Sequence, residues 1–413
     1  MIKFEQHILN NGLKVLVHPD TTTPLAIVNT LYKVGARDEA ADKTGFAHLF
    51  EHFMFEGSVN IPHFDTPLQF ASGENNAFTN NDITNYYDFL PAKNLETALW
   101  LESDRMLGLN FDEESLDTQK KVVMEEFKEH YINQPYGDVW HKISDLAYKV
   151  HPYRWPTIGL ELSHIEKITM EDFKKFFYHY YRPNNATLVV AGNVKPDEVF
   201  KLAEKWFGAI PRGEKEVMRN LPKEPVQTFE RVLEHHADVP VNAIYKAYQM
   251  YNRNHANYQT TDLLRDLLST GDSSRLYRTL IKEKKLFSSV ASYLSETIDE
   301  GLFFIEGKLN PGVSMDEGDS AIKEVLNEMI QQKIDETELT KVKNKVESFI
   351  AFGDTNVLNR AMNIAQHDML GDANGVNTEI EKYRSVTATQ LQSVAAEILN
   401  DNRCNTLKYF GKN

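Results

Sequence analysis

The chain has 413 residues, 41% of them hydrophobic and 25% charged, a composition typical of globular proteins and unlike that of disordered or fibrous ones. This length exceeds what one hydrophobic core usually supports, so we expect two domains or more. The net charge of −15 disfavours nucleic acid and anionic membrane surfaces as partners, and the single cysteine excludes an internal disulfide or a thiolate metal cluster within one chain.

The N-terminal segment has no basic stretch followed by an apolar run and a cleavage site, so we expect no signal peptide. No stretch reaches the roughly 18 uninterrupted apolar residues of a membrane-spanning helix. We therefore expect a soluble protein without a membrane span, and the sequence leaves a cytoplasmic and a periplasmic location open.

The N-terminal part of the sequence alternates between strand and helix patterns. Asn10–Gly12 lies between two alternating runs and predicts a hairpin with an Asn-Gly turn. The predicted elements that follow are, in chain order, a strand over 24–35, an apolar helix over 45–58, a helix near 62–73, a strand over 76–90, and helices over 94–107 and 112–133. This order predicts a layered α+β fold.

The apolar helix, GFAHLFEHFMFEGS, contains three residues that resist burial: His48, Glu51 and His52. Residues four apart share a helix face, so both imidazoles can point at one ion, and Glu51 lies close to them. Burying these groups without partners costs about 1 to 3 kcal/mol for each neutral group and more for the charge. Histidines bonded to backbone carbonyls, with Glu51 as counterion, are the alternative; the complete HxxEH pattern on an apolar helix favours a divalent metal.

A catalytic zinc site usually has three protein ligands and a water, so a third ligand has to come from elsewhere in the chain. The predicted helix in TQKKVVMEEFKEHYINQPYG offers Glu125, Glu126, Glu129 and His130. Helical spacing places Glu126 and Glu129 on nearly one face, with Glu125 about 100° away from Glu126. An acidic stripe facing solvent is the alternative interpretation, and spacing alone does not choose among the glutamates.

Two halves of the chain share a faint repeat. Segments beginning at Ile168 and Val386 each predict a Thr-capped helix, a polar turn and a strand that ends near glycine. The sequence therefore predicts two homologous halves, each an antiparallel-rich sheet packed with helices. The same offset carries His48, Glu51 and His52 onto Asp266, Ser269 and Thr270, so the second half does not repeat the motif.

A linker is predicted between the halves. Proline, glycine and charged residues accumulate between Glu204 and Gln227, where the periodicity is lost. We place the zinc-bearing domain at 1–212, the linker at 213–227 and the homologous domain without the metal motif at 228–413.

The motif set resembles that of the pitrilysin, insulinase and mitochondrial processing peptidase family of inverted-motif zinc metallopeptidases, in its bacterial short-chain form. The resemblance is carried by GFAHLFEHFMFEGS, GENNAFTNNDITNYYDFL, HPYRWPTIG and YYRPNNATLVVAGN. It implies a zinc-dependent endopeptidase acting on peptides or small unfolded polypeptides. It also implies that zinc is bound by His48, His52 and Glu126, with Glu129 as the alternative third ligand, and that Glu51 is the general base.

The resemblance extends to the substrate and to a partner. It implies that Asn76, Ala77 and Phe78 form an edge strand that pairs with an extended substrate. Relatives that are complete in one chain carry an Arg and, seven residues later, a Tyr that contact substrate; here Ile281 and Ser288 stand at those positions.

Two explanations for the missing pair remain open: Arg275, Tyr277 or Arg278 compensates, or a homologous subunit supplies the Arg and Tyr. We favour the second, in which the chain is one half of a clamshell-like heterodimer. A metal-binding but poorly active scaffold or processing subunit is the alternative function. A hydrolase of small molecules is disfavoured by the likeness to the substrate strand.

Overall fold

The computed structural model describes residues 1–214 and 216–411. Contacts divide the chain into two compact units, each built from three segments. The first consists of Met1–Lys128, Trp155–Leu221 and Ala351–Thr378, and the second of Glu129–Arg154, Pro222–Ile350 and the residues from Glu379 onward. The predicted division at 213–227 stays a prediction; the described residues between 211 and 230 form no helix or strand.

The first unit contains a six-stranded sheet. Its strands are β1 (Glu5–Ile8), β2 (Lys14–Pro19), β3 (Leu25–Tyr32), β4 (Glu74–Thr79), β5 (Thr84–Pro91) and β6 (Ala186–Gly192). They lie in the order β1-β2-β6-β3-β5-β4, with β2 and β6 parallel and all other neighbours antiparallel. The strand β4 is therefore an edge strand, and the predicted hairpin of β1 and β2 is confirmed.

The second unit contains a five-stranded sheet of β7 (Arg231–Ala237), β8 (Ala243–Met250), β9 (Phe287–Leu294), β10 (Gly301–Leu309) and β11 (Cys404–Gly411). Their order is β7-β11-β8-β10-β9, again with one parallel pair, β7 and β11, at the start. This repeats the order β2-β6-β3-β5-β4 of the first sheet. The predicted α+β fold of two homologous halves is thereby confirmed.

Helices cover both sheets. They are α1 (Phe46–Phe53), α2 (Asp65–Phe70), α3 (Leu95–Leu107), α4 (Glu113–Phe127), α5 (Val139–Ala147), α6 (Leu162–Glu166), α7 (Met170–Tyr180), α8 (Pro196–Phe207), α9 (Tyr258–Ser269), α10 (Met315–Gln331), α11 (Glu336–Gly353), α12 (Val357–Met369), α13 (Gly375–Ser385) and α14 (Ala388–Ile398). π-Helical turns occupy Lys128–Ile132 and Tyr277–Glu283. Within the described residues, no helix combines the length and apolar character needed to span a lipid bilayer.

Each sheet is covered in part by a helix from the other half of the sequence. In the first unit α12 packs on β3 and β6, burying Ile364 against Ile27 and Val189. In the second unit α5 packs on β8 and β11, while α9, α10 and α14 contribute to a separate core. The alternation of side chains along β8 separates these two cores, because Tyr245 belongs to one and Ile244 to the other.

The prediction of one strand over 76–90 is wrong, because the segment forms the hairpin of β4 and β5. Asn80 Oδ1 accepts hydrogen bonds from the backbone N–H of Asp82 at 2.8 Å and of Ile83 at 2.9 Å. This is the local bonding by which asparagine initiates turns. The turn reverses the chain directly after Thr79 and places that residue at the end of the edge strand.

Candidate active site

The start of α1 is fixed by a glycine and by a carboxylate. Gly45 has φ +84°, and a Cβ added to it would lie 2.5 Å from the carbonyl oxygen of Ile158. The carboxylate of Glu39 accepts hydrogen bonds from the backbone N–H of Gly45 at 3.0 Å and of Ala47 at 2.7 Å. These N–H groups have no partner within the helix, so Glu39 satisfies donors that burial would otherwise leave unpaired.

Replacing Gly45 with alanine is expected to lower the urea midpoint of unfolding. The left-handed conformation costs a side-chain-bearing residue roughly 1 to 2 kcal/mol, and the contact with Ile158 adds to this. Gly371→Ala is the matched control, since Gly371 has φ +112° in the same unit and no atom within 4 Å of an added Cβ. Equal losses in the two variants would contradict the proposed role of the Ile158 contact.

One side of α1 is buried in an aromatic cluster. The rings of Phe46 and Phe176 lie 4.6 Å apart, and those of Phe50 and Phe53 lie 5.1 and 4.9 Å from the ring of Phe173 on α7. These contacts leave His48, Glu51 and His52 as the half-buried residues of the helix. The apolar residues thus determine which way the polar ones face.

The structure brings His48 and His52 together with Glu126. Their Nε2 atoms lie 3.3 Å apart, and Glu126 Oε2 lies 3.9 Å from His48 Nε2 and 3.6 Å from His52 Nε2. One donor atom from each residue lies within 4.8 Å of the others. Two imidazole nitrogens and a carboxylate oxygen are the donor types that zinc binds in catalytic sites.

The electrostatic environment of His48 suits a metal ligand. Burial, together with the neighbouring His52, lowers the pKa of His48 to about 4, so its imidazole is neutral at pH 7. Metal ligation requires an imidazole without the extra proton. Its Nδ1 atom is buried without a hydrogen-bond partner among the described residues. The donor set therefore fits a divalent cation.

Of the glutamates that the sequence left open, the structure places Glu126 beside the histidines, on α4, which packs against α1. The side chain of Glu125 is 73% exposed and pairs with Lys128 at 2.6 Å. Glu129 is exposed in the π-helical turn after α4. Glu125 and Glu129 therefore fit the alternative interpretation of acidic residues that face solvent.

Glu51 does not belong to this donor group but lies next to it. Burial raises the pKa of Glu51 to about 7, with Thr79 opposing and Glu126 adding to the shift. The hydroxyl of Thr79 donates a hydrogen bond to Glu51 Oε2 at 2.5 Å. A half-buried carboxylate beside a metal site is positioned to move protons.

The edge strand β4 contains Asn76, Ala77 and Phe78. Asn76 is exposed, and its Oδ1 accepts a hydrogen bond from the N–H of Ala77 at 2.8 Å. The acceptor of this N–H is therefore a side chain of its own strand. Phe78 is half-buried against the core that contains Ile364.

The side chains at the positions of the missing Arg and Tyr are engaged within the second unit. Ile281 packs against the core of the second unit, and the Ser288 hydroxyl donates to the carbonyl of Lys308 at 3.1 Å. Arg275 forms two hydrogen bonds with Glu338, at 3.1 and 2.8 Å, so its guanidinium is already paired.

Sequence reasoning missed two residues of this region, Glu39 and Thr79. Glu39 carries no local signal, since it lies seven residues before the first residue of the helix that it caps. Thr79 follows the three residues assigned to the substrate strand, and only the hairpin shows that its side chain reaches α1.

Comparison with known proteins places this geometry among peptidases. Residues 14–159 match the model of the insulinase family, peptidase family M16, and residues 167–346 match that of the peptidase M16 inactive domain. The zinc protease PqqE of Helicobacter pylori is 31% identical over 98% of this chain and 92% of its own. The probable mitochondrial-processing peptidase subunit beta of Schizosaccharomyces pombe is 26% identical over 73% and 68%. The crystal structure of a protease from Helicobacter pylori has a TM-score of 0.94 and 30% identity, covering 99% of this chain and 100% of that one.

Proposed function

The chain belongs to the insulinase family, peptidase family M16, and from this premise we propose that it is a zinc-dependent endopeptidase hydrolysing peptides or small unfolded polypeptides. We propose further that it is the metal-bearing subunit of a two-subunit peptidase. The observation that carries the proposal is the convergence of His48, His52 and Glu126 within 4.8 Å, beside Glu51.

In this proposal His48 and His52 hold the zinc ion through Nε2, and Glu126 holds it through a carboxylate oxygen. When bound, zinc would supply a Lewis acid that polarises the scissile carbonyl and makes water at the site easier to deprotonate. Glu51 takes the proton of the attacking water and passes it to the departing amine. The bond from Thr79 leaves one carboxylate oxygen of Glu51 for this exchange.

The edge strand supports an extended peptide as substrate. Because β4 pairs only with β5 in its sheet, its outer side offers backbone groups to a further strand. The N–H of Ala77, bonded to the side chain of Asn76, would exchange this partner for a substrate carbonyl. Main-chain pairing makes few demands on side chains, so we expect broad sequence specificity.

Glu126→Gln tests the metal site directly. Removing the anionic ligand is expected to lower zinc affinity by at least about 100-fold and to remove peptidase activity in step with zinc content, because zinc favours a deprotonated ligand. The measurements are zinc content by mass spectrometry and cleavage of a quenched fluorescent peptide. Glu125→Gln makes the same change one residue away on an exposed side chain and is expected to behave as wild type. Full zinc content in Glu126→Gln would reject the proposed ligand set.

A second candidate function, a metal-binding but poorly active scaffold, is favoured by the absence of Arg and Tyr at 281 and 288. The pairing of Arg275 with Glu338 adds to it, since this engages one of the three candidate substitutes. Against it stands Glu51, a half-buried acid that a structural metal site does not need.

A further inference from the structure

We propose that Thr79 is a positioning residue for the reaction: its hydroxyl holds Glu51 by one carboxylate oxygen, Oε2, and leaves Oε1 to exchange the proton with the reacting water. This inference rests on the proposed function, in which Glu51 is the general base. Thr79 lies at the end of β4, and Glu51 lies on α1, so the contact joins the predicted substrate strand to the predicted catalytic helix.

The contact itself is short. Thr79 Oγ1 lies 2.5 Å from Glu51 Oε2, within hydrogen-bonding distance. A carboxylate is an acceptor only, so the hydroxyl is the donor. No described residue bonds to Oε1. A single bond to one oxygen therefore restrains the rotation of the carboxylate and distinguishes its two oxygens.

The neighbouring hydroxyl of Thr84 offers the proton of Thr79 only a more distant second acceptor. Thr84 Oγ1 lies 3.4 Å from Thr79 Oγ1 and donates its own proton to the carbonyl of Val34 at 3.0 Å. Thr84 therefore does not compete as a donor to Glu51. Because the longer contact is the weaker one, the proton of Thr79 is shared mainly with the carboxylate.

The backbone that follows Thr79 is held in place by the segment before α1. Ala36 N–H donates to the carbonyl of Asn80 at 3.0 Å, and Arg37 N–H donates to that of Asn81 at 2.9 Å. The guanidinium of Arg37 also pairs with Asp82 at 2.8 Å, with both side chains nearly inaccessible to solvent. A side chain can fix a catalytic group only if its own position is fixed, and this turn meets that condition.

The decisive experiment compares Thr79→Val with Thr79→Ser in the zinc-loaded protein, assayed together with its partner subunit if one is required. Valine keeps the branched shape and removes the hydroxyl, whereas serine keeps the hydroxyl. Thr79→Val is expected to lower kcat about 10- to 100-fold with KM changed less than about twofold, because a misplaced base slows the chemical step. Thr79→Ser is expected to recover most of this loss. If the role of Thr79 were purely structural, Thr79→Val would lower the unfolding midpoint and would not lower kcat selectively over KM.

A second measurement does not depend on activity. Thr79→Val, Glu51→Gln and the double variant form a cycle whose urea midpoints are measured on the metal-free protein. We expect non-additive shifts, because valine removes the donor of the bond and glutamine replaces its charged acceptor with a weaker neutral one. Additive shifts of the urea midpoint, or a kcat equal to that of wild type in Thr79→Val, would overturn the proposed role of Thr79. Equal rates in wild type and Glu51→Gln would instead overturn the proposed function, and the cycle would still decide whether the two residues are coupled.

Discussion

Replacing Glu51 with glutamine is expected to leave zinc binding intact and to slow peptide hydrolysis about 10²- to 10⁴-fold. Glutamine has nearly the size and shape of glutamate, and its amide cannot take a proton from water at neutral pH. Glu51 stands outside the group of His48, His52 and Glu126, so the donor atoms for the metal remain. Zinc content and the cleavage rate of a quenched peptide, measured on the same preparation, separate a base from a ligand.

The matched control is Glu125→Gln, which makes the same chemical change on an exposed side chain of α4. It should match wild type in both measurements. A Glu51→Gln protein that loses zinc would show that Glu51 is a ligand. A Glu51→Gln protein that keeps zinc and cleaves as fast as an active wild type would rule out the general-base mechanism. Equally low rates in wild type and Glu51→Gln would support the scaffold function.

The helix that carries the site could be predicted because its geometry is local. Four-residue spacing puts His48 and His52 on one face of any helix, and the apolar residues around them predicted burial. The third metal ligand could not be predicted from local geometry. Helical spacing did not separate Glu125, Glu126 and Glu129. The family resemblance pointed to Glu126, and the packing of α4 on α1 puts that residue beside the histidines.

The elements that position the site are held by contacts between residues that are distant in sequence. The hairpin was missed because the segment 76–90 resembles one long strand unless Asn80 is recognised as the start of a turn. Glu39 reaches the first turn of α1 only through tertiary folding. The same limit applies to α5 and α12, each of which packs on the sheet formed mainly by the other half of the sequence.

The duplication could be predicted from two short segments because both halves retained the same local signals. Thr169 and Thr387 each form a capping box at the start of α7 and α14. The shared strand order then follows from shared descent of the halves and not from propensity. The second half has the same strand order but lacks the metal motif, since Asp266, Ser269 and Thr270 occupy the corresponding positions.

The isolated chain is expected to bind zinc and to cleave peptides slowly, and a homologous subunit carrying the missing Arg and Tyr is expected to raise the rate roughly 10²- to 10³-fold. This is the size of effect seen when one polar group that stabilises a developing charge is removed or supplied. Ile281 and Ser288 offer neither a cation nor a phenol at the positions where complete relatives carry them. The measurement titrates the partner against a fixed amount of this chain and follows the rate to saturation.

The controls for this prediction distinguish the two explanations for the missing pair. A partner with both its Arg and its Tyr replaced should bind and fail to activate. Full activity of the isolated chain, lost in Arg275→Ala, would instead favour compensation from within. The structure disfavours that outcome, because releasing Arg275 toward a substrate requires breaking two hydrogen bonds to Glu338 and leaves that carboxylate unpaired. An isolated chain that is fully active and insensitive to Arg275→Ala, Tyr277→Phe and Arg278→Ala would contradict both explanations and show that this site needs neither side chain.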